Sequence, residues 1–288
     1  MIISVSQGKA ILAFLKQITS IFIMAMLIAC FSLSGVNAQE ETTQIQPEFS
    51  SLFEAKSGIV ARVVDPLTVQ LKDGRILNLA SMDFPDLDYH QPGPLSVLAI
   101  KILRDLLENK QIKIYQNKKN KEARRNRMGH QISHIVLHKN DLWVQAVLLR
   151  LGLVRVRTTG DNFDLAKEMY IHEDFARSEK SGLWKIRAFE VHDPDNARLF
   201  TDGFGIVEGT VKSVSLKQGQ TYVNFGNNWK KDLTLSIPRS KRKVFMKAGL
   251  NPINWGGKKI RVRGWLRDYN GPYVEIDHIE ALEFLDVE

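Results

Sequence analysis

Between residues 58 and 80 the chain alternates short β-branched runs with turn signals, a pattern that few folds can absorb. Residues 59–64, 68–71 and 75–80 are such runs, separated by Asp65-Pro66 and by Lys72-Asp73-Gly74. Proline fixes φ and glycine frees it, so both stretches interrupt a strand and turn it back. Three short strands joined by tight turns make an antiparallel meander. Pro94 then opens a helix in which Leu95, Leu98, Ile102, Leu103, Leu106 and Leu107 recur at three- and four-residue spacing. Further strands at 110–115 and 131–137 precede helices at 142–151 and 164–181, the first of which closes at Gly152. The fold expected is mainly β with helices (α+β): a five-stranded barrel of oligonucleotide-binding type, packed by helices.

With 288 residues the chain exceeds one usual hydrophobic core, so a second unit is expected. Residues 192–203 punctuate the chain with Asp-Pro-Asp-Asn and Asp-Gly. Candidate strands follow at 205–215, 221–225, 233–237, 259–266 and 273–276, with a short helix near 240–248. Five strands with a helix after the third predict a second, smaller oligonucleotide-binding-like β-barrel. The domain plan is a signal peptide at 1–38, a linker at 39–54, a first domain at 55–190, a linker at 191–202 and a second barrel at 203–288.

The N-terminus sets the expected compartment. Lys9 and Lys16 precede an apolar run over 18–33, followed by the small-residue site Val36-Asn37-Ala38. This is the layout of a secretory signal peptide, cleaved after Ala38. Leu27-Ile28-Ala29-Cys30 leaves open an alternative, a lipoprotein anchored at Cys30. The run is shorter than the roughly 20 apolar residues of a membrane span, so no span is expected in an exported, periplasmic or secreted protein. Cys30 is the only cysteine, so a chain beginning at Gln39 has no disulfide and no thiolate-bound metal. The net charge is +8, and +6 without the two N-terminal lysines, which favours polyanionic partners.

Three stretches also carry a family resemblance. Val-Val-Asp-Pro-Leu-Thr-Val at 63–69, Asn-Leu-Ala-Ser-Met-Asp-Phe-Pro-Asp at 78–86 and Arg-Met-Gly-His at 127–130 resemble, in order, three signatures of the staphylococcal nuclease (thermonuclease) family. The resemblance extends over nearly all of 55–190 and implies that family's barrel. It also implies a site for calcium-dependent phosphodiester cleavage, in which carboxylates hold the cation, a glutamate is the base and two arginines meet the phosphate. By that resemblance Asp83 keeps a metal-binding position, with Asp65 a nearby carboxylate, and Asp86 replaces the base. Leu67 stands at the other metal-binding carboxylate, Asn78 at the first arginine and His130 at the second. The implied catalytic residues are therefore Asp86 and His130, and the implied metal ligands are Asp83 and Asp65, with calcium the only cofactor in view. One oxyanion-type contact carries about 3–4 kcal/mol of transition-state stabilisation, so losing two arginines and a ligand removes many orders of magnitude in rate. Arg75 and Arg127 lie three residues away, an offset that reverses the projecting face of a strand. His130, His134 and His138 share a spacing but stand about 13 Å apart on a strand, too far to converge on one zinc.

The densest cationic run is Lys118, Lys119, Lys121, Arg124, Arg125 and Arg127, broken by one anion, Glu122. Such a loop neutralises phosphates along a nucleic-acid strand. Arg155 and Arg157 fill the stretch after Gly152-Leu153 where the family's nucleotide-stacking tyrosines are expected, which favours backbone contact over base contact. In the second unit Trp229 and Tyr269, on expected loops, are the aromatics most suited to stack bases. Alternation along 261–265 assigns most other aromatics there to a core. The function expected is an exported thermonuclease-like fold that has lost most of its catalytic set and binds nucleic acid or another polyanion. The alternatives are a calcium-dependent nuclease with a rearranged site and an envelope protein-interaction module.

Overall fold

The computed structural model describes residues 47–85, 93–228 and 231–285. The expected signal segment, Ala38, Cys30, most of the linker, Asp86 and Trp229 lie outside the described residues. In the first unit the strands are β1 (Leu52–Asp65), β2 (Thr68–Leu71), β3 (Ile76–Leu79), β4 (Met82–Asp83), β5 (Gln111–Asn117), β6 (Gln131–Leu137) and β7 (Arg155–Val156). Its helices are α1 (Pro94–Leu107), α2 (Val144–Arg150) and α3 (Ala166–Ser178). The strands β1-β2-β3-β6-β5 close into a barrel, in which β3 and β6 are parallel and the other pairs antiparallel. Closure depends on β1, which pairs β5 with its first half and β2 with its second. The strand bends near Gly58, where a Cβ would meet Leu71 Cδ1 at 2.6 Å, so glycine is required there.

Alternate residues fill this barrel: Val60, Val63, Val69, Leu71, Leu77, Leu79, Ile112, Ile114 and Ile135 are all buried. Pro94 starts α1 as expected, but the buried stripe is Ser96, Ala99, Leu103 and Leu107. Leu95, Leu98, Ile102 and Leu106 flank it half-buried. Helix α2 docks through Gln145, whose amide accepts from Ile135 N at 3.2 Å and donates to Ser133 O at 3.0 Å. Trp143, fully buried, lies between His134 (5.7 Å between ring centres) and His172 (5.8 Å). Burial lowers the His134 imidazole to about 3, so it is neutral in the folded protein.

The second unit holds β8 (Val191–His192), β9 (Gly203–Thr210), β10 (Ser213–Lys217), β11 (Gln220–Asn224), β12 (Thr234–Ile237), β13 (Lys259–Asp268), β14 (Pro272–Glu275) and β15 (Leu282–Phe284), with α4 (Arg242–Lys247) after β12. They form an eight-stranded sheet in the order β10-β11-β12-β14-β13-β9-β8, with β15 against β13. Val207, Val223, Leu235, Ile237, Phe245, Trp255, Ile260, Val262, Leu266 and Val274 make its core. Residues 191–202, expected as a linker, contain β8 and a 3-10 turn whose Ala197 is buried in that core. The expected strand at 205–215 is divided into β9 and β10 at Val211 and Lys212. Among the described residues no helix is long and apolar enough to cross a membrane.

Helix α3 joins the two units through buried charge. Glu173, with no exposed side-chain surface, pairs with Arg263 of β13 at 2.5 Å, and Arg263 is itself only 2% exposed. Glu173 also accepts from Val156 N of β7 at 2.7 Å. Arg263 reaches Glu283 at 2.9 Å and lies 4.2 Å above the Tyr170 ring. Burial opposes the Arg263 charge, but Glu173 and its neighbours outweigh that and raise its pKa. Next to it, Arg261 pairs with Glu208 at 2.9 Å and Glu283 at 3.2 Å. Apolar contact completes the junction, with Ile206 of β9 packed among Ala176, Leu183 and Trp184.

Removing one member of a buried ion pair typically costs about 3–5 kcal/mol, whereas replacing both by apolar residues is close to neutral. Arg263→Leu is therefore expected to lower urea-unfolding stability by about that amount and the double variant Arg263→Leu/Glu173→Leu to recover most of it. Equal loss in both would contradict the pairing. A second expectation concerns pH. The unfolded chain protonates His134 near 6.5 but the folded protein only near 3. Its contribution is therefore complete above about pH 6.5 and declines on acidification by about 1.4 kcal/mol per pH unit. Between pH 7 and 4.5 the unfolding free energy from urea titration should fall about 2–3 kcal/mol further for the wild type than for His134→Gln. Parallel declines would mean that His134 is not held neutral.

Candidate functional site

The positions implied by the nuclease resemblance gather on β1 to β4. Asp65 accepts from Leu67 N at 2.8 Å, which closes the tight turn through Pro66 into β2. Asp65 is thus a turn-former. Leu67 is half-buried and its carbonyl accepts from Leu79 N at 2.8 Å. Asn78 stands opposite Thr68 and donates its amide to the Thr68 hydroxyl at 3.1 Å. Where the resemblance implies a metal-binding carboxylate and an arginine, the chain therefore has an alkyl group and a neutral amide.

Asp83 stands at the metal-binding position that the resemblance implies, and its carboxylate is already engaged. It lies on β4, whose partner β7 sets Arg155 directly opposite. Arg155 donates to one carboxylate oxygen at 2.6 Å and Arg157 to the other at 3.4 Å. The Arg155 side chain is 4% exposed and that of Asp83 13%, so this pair is shielded from solvent. Phe189 and Phe204 lie beneath Arg155, with ring centres 5.4 and 5.1 Å from its guanidinium carbon. Phe204 also lies 5.4 Å from Arg157.

Asp83 was expected to hold a cation, but two guanidiniums occupy its oxygens. Arg155 was expected to contact nucleic acid, but it is buried against Asp83, and only Arg157 keeps an exposed face. The donor set does not fit calcium, which takes six to eight oxygen ligands. Among the described residues no group of three or more His, Cys, Asp or Glu side chains is able to hold a metal. His130 is half-buried beyond a turn in which Asn126 accepts from its backbone N at 3.0 Å. Arg75 does not replace a missing arginine, because it donates to Lys56 O at 2.7 Å, Ser57 O at 2.8 Å and Asp73 at 2.9 Å.

The basic loop adjoins this mouth. Asn162 donates to Ala123 O of the loop at 3.1 Å, and its carbonyl accepts from the Ser81 hydroxyl, just before β4, at 2.9 Å. The six cations divide into two sets. Lys118 donates to Ser50 O, Arg124 to Asn117 O while lying 4.3 Å above Phe53, and Arg125 to Gly129 O. These three fasten the loop to the protein. The side chains of Lys119, Lys121 and Arg127 are exposed and make no hydrogen bond or salt bridge among the described residues, with Lys119 acting electrostatically on Asp164. In the second unit Tyr269 is 69% exposed beside the β13–β14 turn, its ring 5.7 Å from that of Tyr273.

Sequence reasoning missed the partnership of Asp83 with β7, although the alternation Arg155-Val156-Arg157 was a usable signal. Glu173 and Phe204, which support that partnership from α3 and β9, carried no local signal at all. No protein-family model matches the chain, and no curated protein matches it.

Proposed function

We propose that this is an exported protein of thermonuclease-like fold whose cation site is shut and whose surface binds nucleic acid or a comparable polyanion. The observation that carries the reading is the contrast between Asp83, with both oxygens on arginines, and the exposed side chains of Lys119, Lys121 and Arg127, none of which forms a salt bridge among the described residues. Two guanidiniums on Asp83 oppose a divalent cation there by like charge, and exposed cations on the neighbouring loop attract phosphate. The second sheet is read as an oligonucleotide-binding-like barrel. Its third and last long strands, β12 and β14, are parallel and its other long pairs antiparallel, which is the pairing order of the first barrel. Strands β9 and β10 stand at or near opposite ends of that order yet are separated in the chain only by Val211 and Lys212, which supports closure through one bent strand.

Each phosphate neutralised on a single strand adds about 0.7 to the slope of log K against log salt. Binding of a single-stranded oligonucleotide is expected to weaken steeply with salt, and the triple variant Lys119→Ala/Lys121→Ala/Arg127→Ala to reduce that slope by about 2. Denatured DNA in calcium is expected to remain uncleaved. Turnover that disappears in Asp83→Ala would support an active nuclease instead. Failure to bind either oligonucleotide or heparin at low salt would overturn the polyanion reading in favour of a protein-binding module.

A further inference from the structure

We propose that the outward face of β13 and its flanking strands is a base-stacking track for single-stranded nucleic acid, centred on Trp265. The inference rests on the polyanion reading above and names its ligand class. Alternation along β13 turns Ile260, Val262 and Leu266 into the core and Arg261, Arg263, Trp265 and Arg267 outward. The first two outward residues are covered and neutralised, Arg263 by Glu173 of α3 and Glu283, Arg261 by Glu208 and Glu283. The last two are not: Trp265 is 46% exposed, and Arg267 is exposed with no hydrogen bond or ion pair among the described residues. One strand face therefore changes from a sealed junction to an open aromatic and a free cation within two residues.

Neighbouring strands extend the surface. Directly opposed residues of an antiparallel pair share a face. Phe204 of β9 stands opposite Trp265, and Tyr273 of β14 opposite Arg267, so these four side chains lie on one surface. Tyr269 meets Tyr273 edge-on at its outer end. At the inner end Arg157, its side chain 44% exposed, lies beside Phe204 and holds Asp83 through a long 3.4 Å contact. Aromatic faces thus run between two cations, which suits bases above the rings and phosphates at the guanidiniums. Asp268 is paired with Arg198, while Glu275, exposed two residues beyond Tyr273 on the same face of β14, accepts from the Tyr273 hydroxyl at 3.4 Å and borders the track.

The occupant follows from this chemistry. A duplex keeps its bases stacked on one another, and only an unpaired base offers its face to an indole. A second copy of the chain, with its net charge of +8, is the less complementary occupant for Arg157 and Arg267.

The test compares the full-length protein with Trp265→Ala and Trp265→Phe on three fluorescent probes by anisotropy: a twenty-nucleotide oligothymidylate, an abasic strand of equal length, and heparin. Stacking of one base contributes about 5- to 160-fold in affinity. Trp265→Ala is expected to weaken oligothymidylate binding by that factor and leave the abasic strand and heparin unchanged, with Trp265→Phe intermediate. Equal binding of oligothymidylate by wild type and Trp265→Ala overturns the track while the polyanion reading stands. So does a parallel loss on all three probes. A wild-type dimer that Trp265→Ala dissociates, seen by light scattering, assigns the face to a second copy and overturns the proposal. Binding of no probe by the wild type overturns both readings together.

Discussion

The carboxylate of Glu173 is the constraint on which the rest of the molecule depends. It has no exposed surface, and a charge so placed is tolerated only with full compensation. One oxygen accepts from the backbone of Val156 and the other faces Arg263. The first contact fixes β7 against α3, and the second fixes α3 against β13 of the other unit. Because β7 is only two residues long, its position depends on such outside contacts. Strand β7 then presents Arg155 to Asp83 across the β4 ladder. A chain of charges runs from the second sheet through α3 to the mouth of the first barrel.

That chain supplies the positive charge that offsets Asp83 at the end of the first barrel. In the chemistry implied by the resemblance, a divalent cation offsets the carboxylates while arginines remain free for phosphate. Here two guanidiniums offset one carboxylate. The local balance leans positive, yet the nearer arginine is buried and rigidly held. Fixed guanidiniums neutralise an anion but do not activate water as a Lewis acid does.

Much of the fold was legible in the sequence because its signals are local. Asp65-Pro66 and Lys72-Asp73-Gly74 marked the turns that bound β2, and Pro94 marked the first residue of α1. The phase of α1 was less legible: leucines at its flanks outweighed the small residues Ser96 and Ala99, which permit the close approach to the barrel. The site was legible only by subtraction. Leu67 and Asn78 announced what is missing, but nothing local announced that Arg155 fills the gap, since the pairing joins residues 72 positions apart. Nothing local announces the pairing of Arg261 and Arg263 either, because their carboxylates come from α3, β9 and β15.

Arginines positioned by β7 occupy the carboxylate of Asp83, one of the two that the resemblance would give to a metal. Isothermal titration of calcium chloride into the purified protein tests this most directly. The account predicts no saturable heat at millimolar calcium, in the wild type and Asp83→Ala alike. A saturable site that disappears in Asp83→Ala would contradict it, because Asp83 would then be surrendering its arginines to a cation.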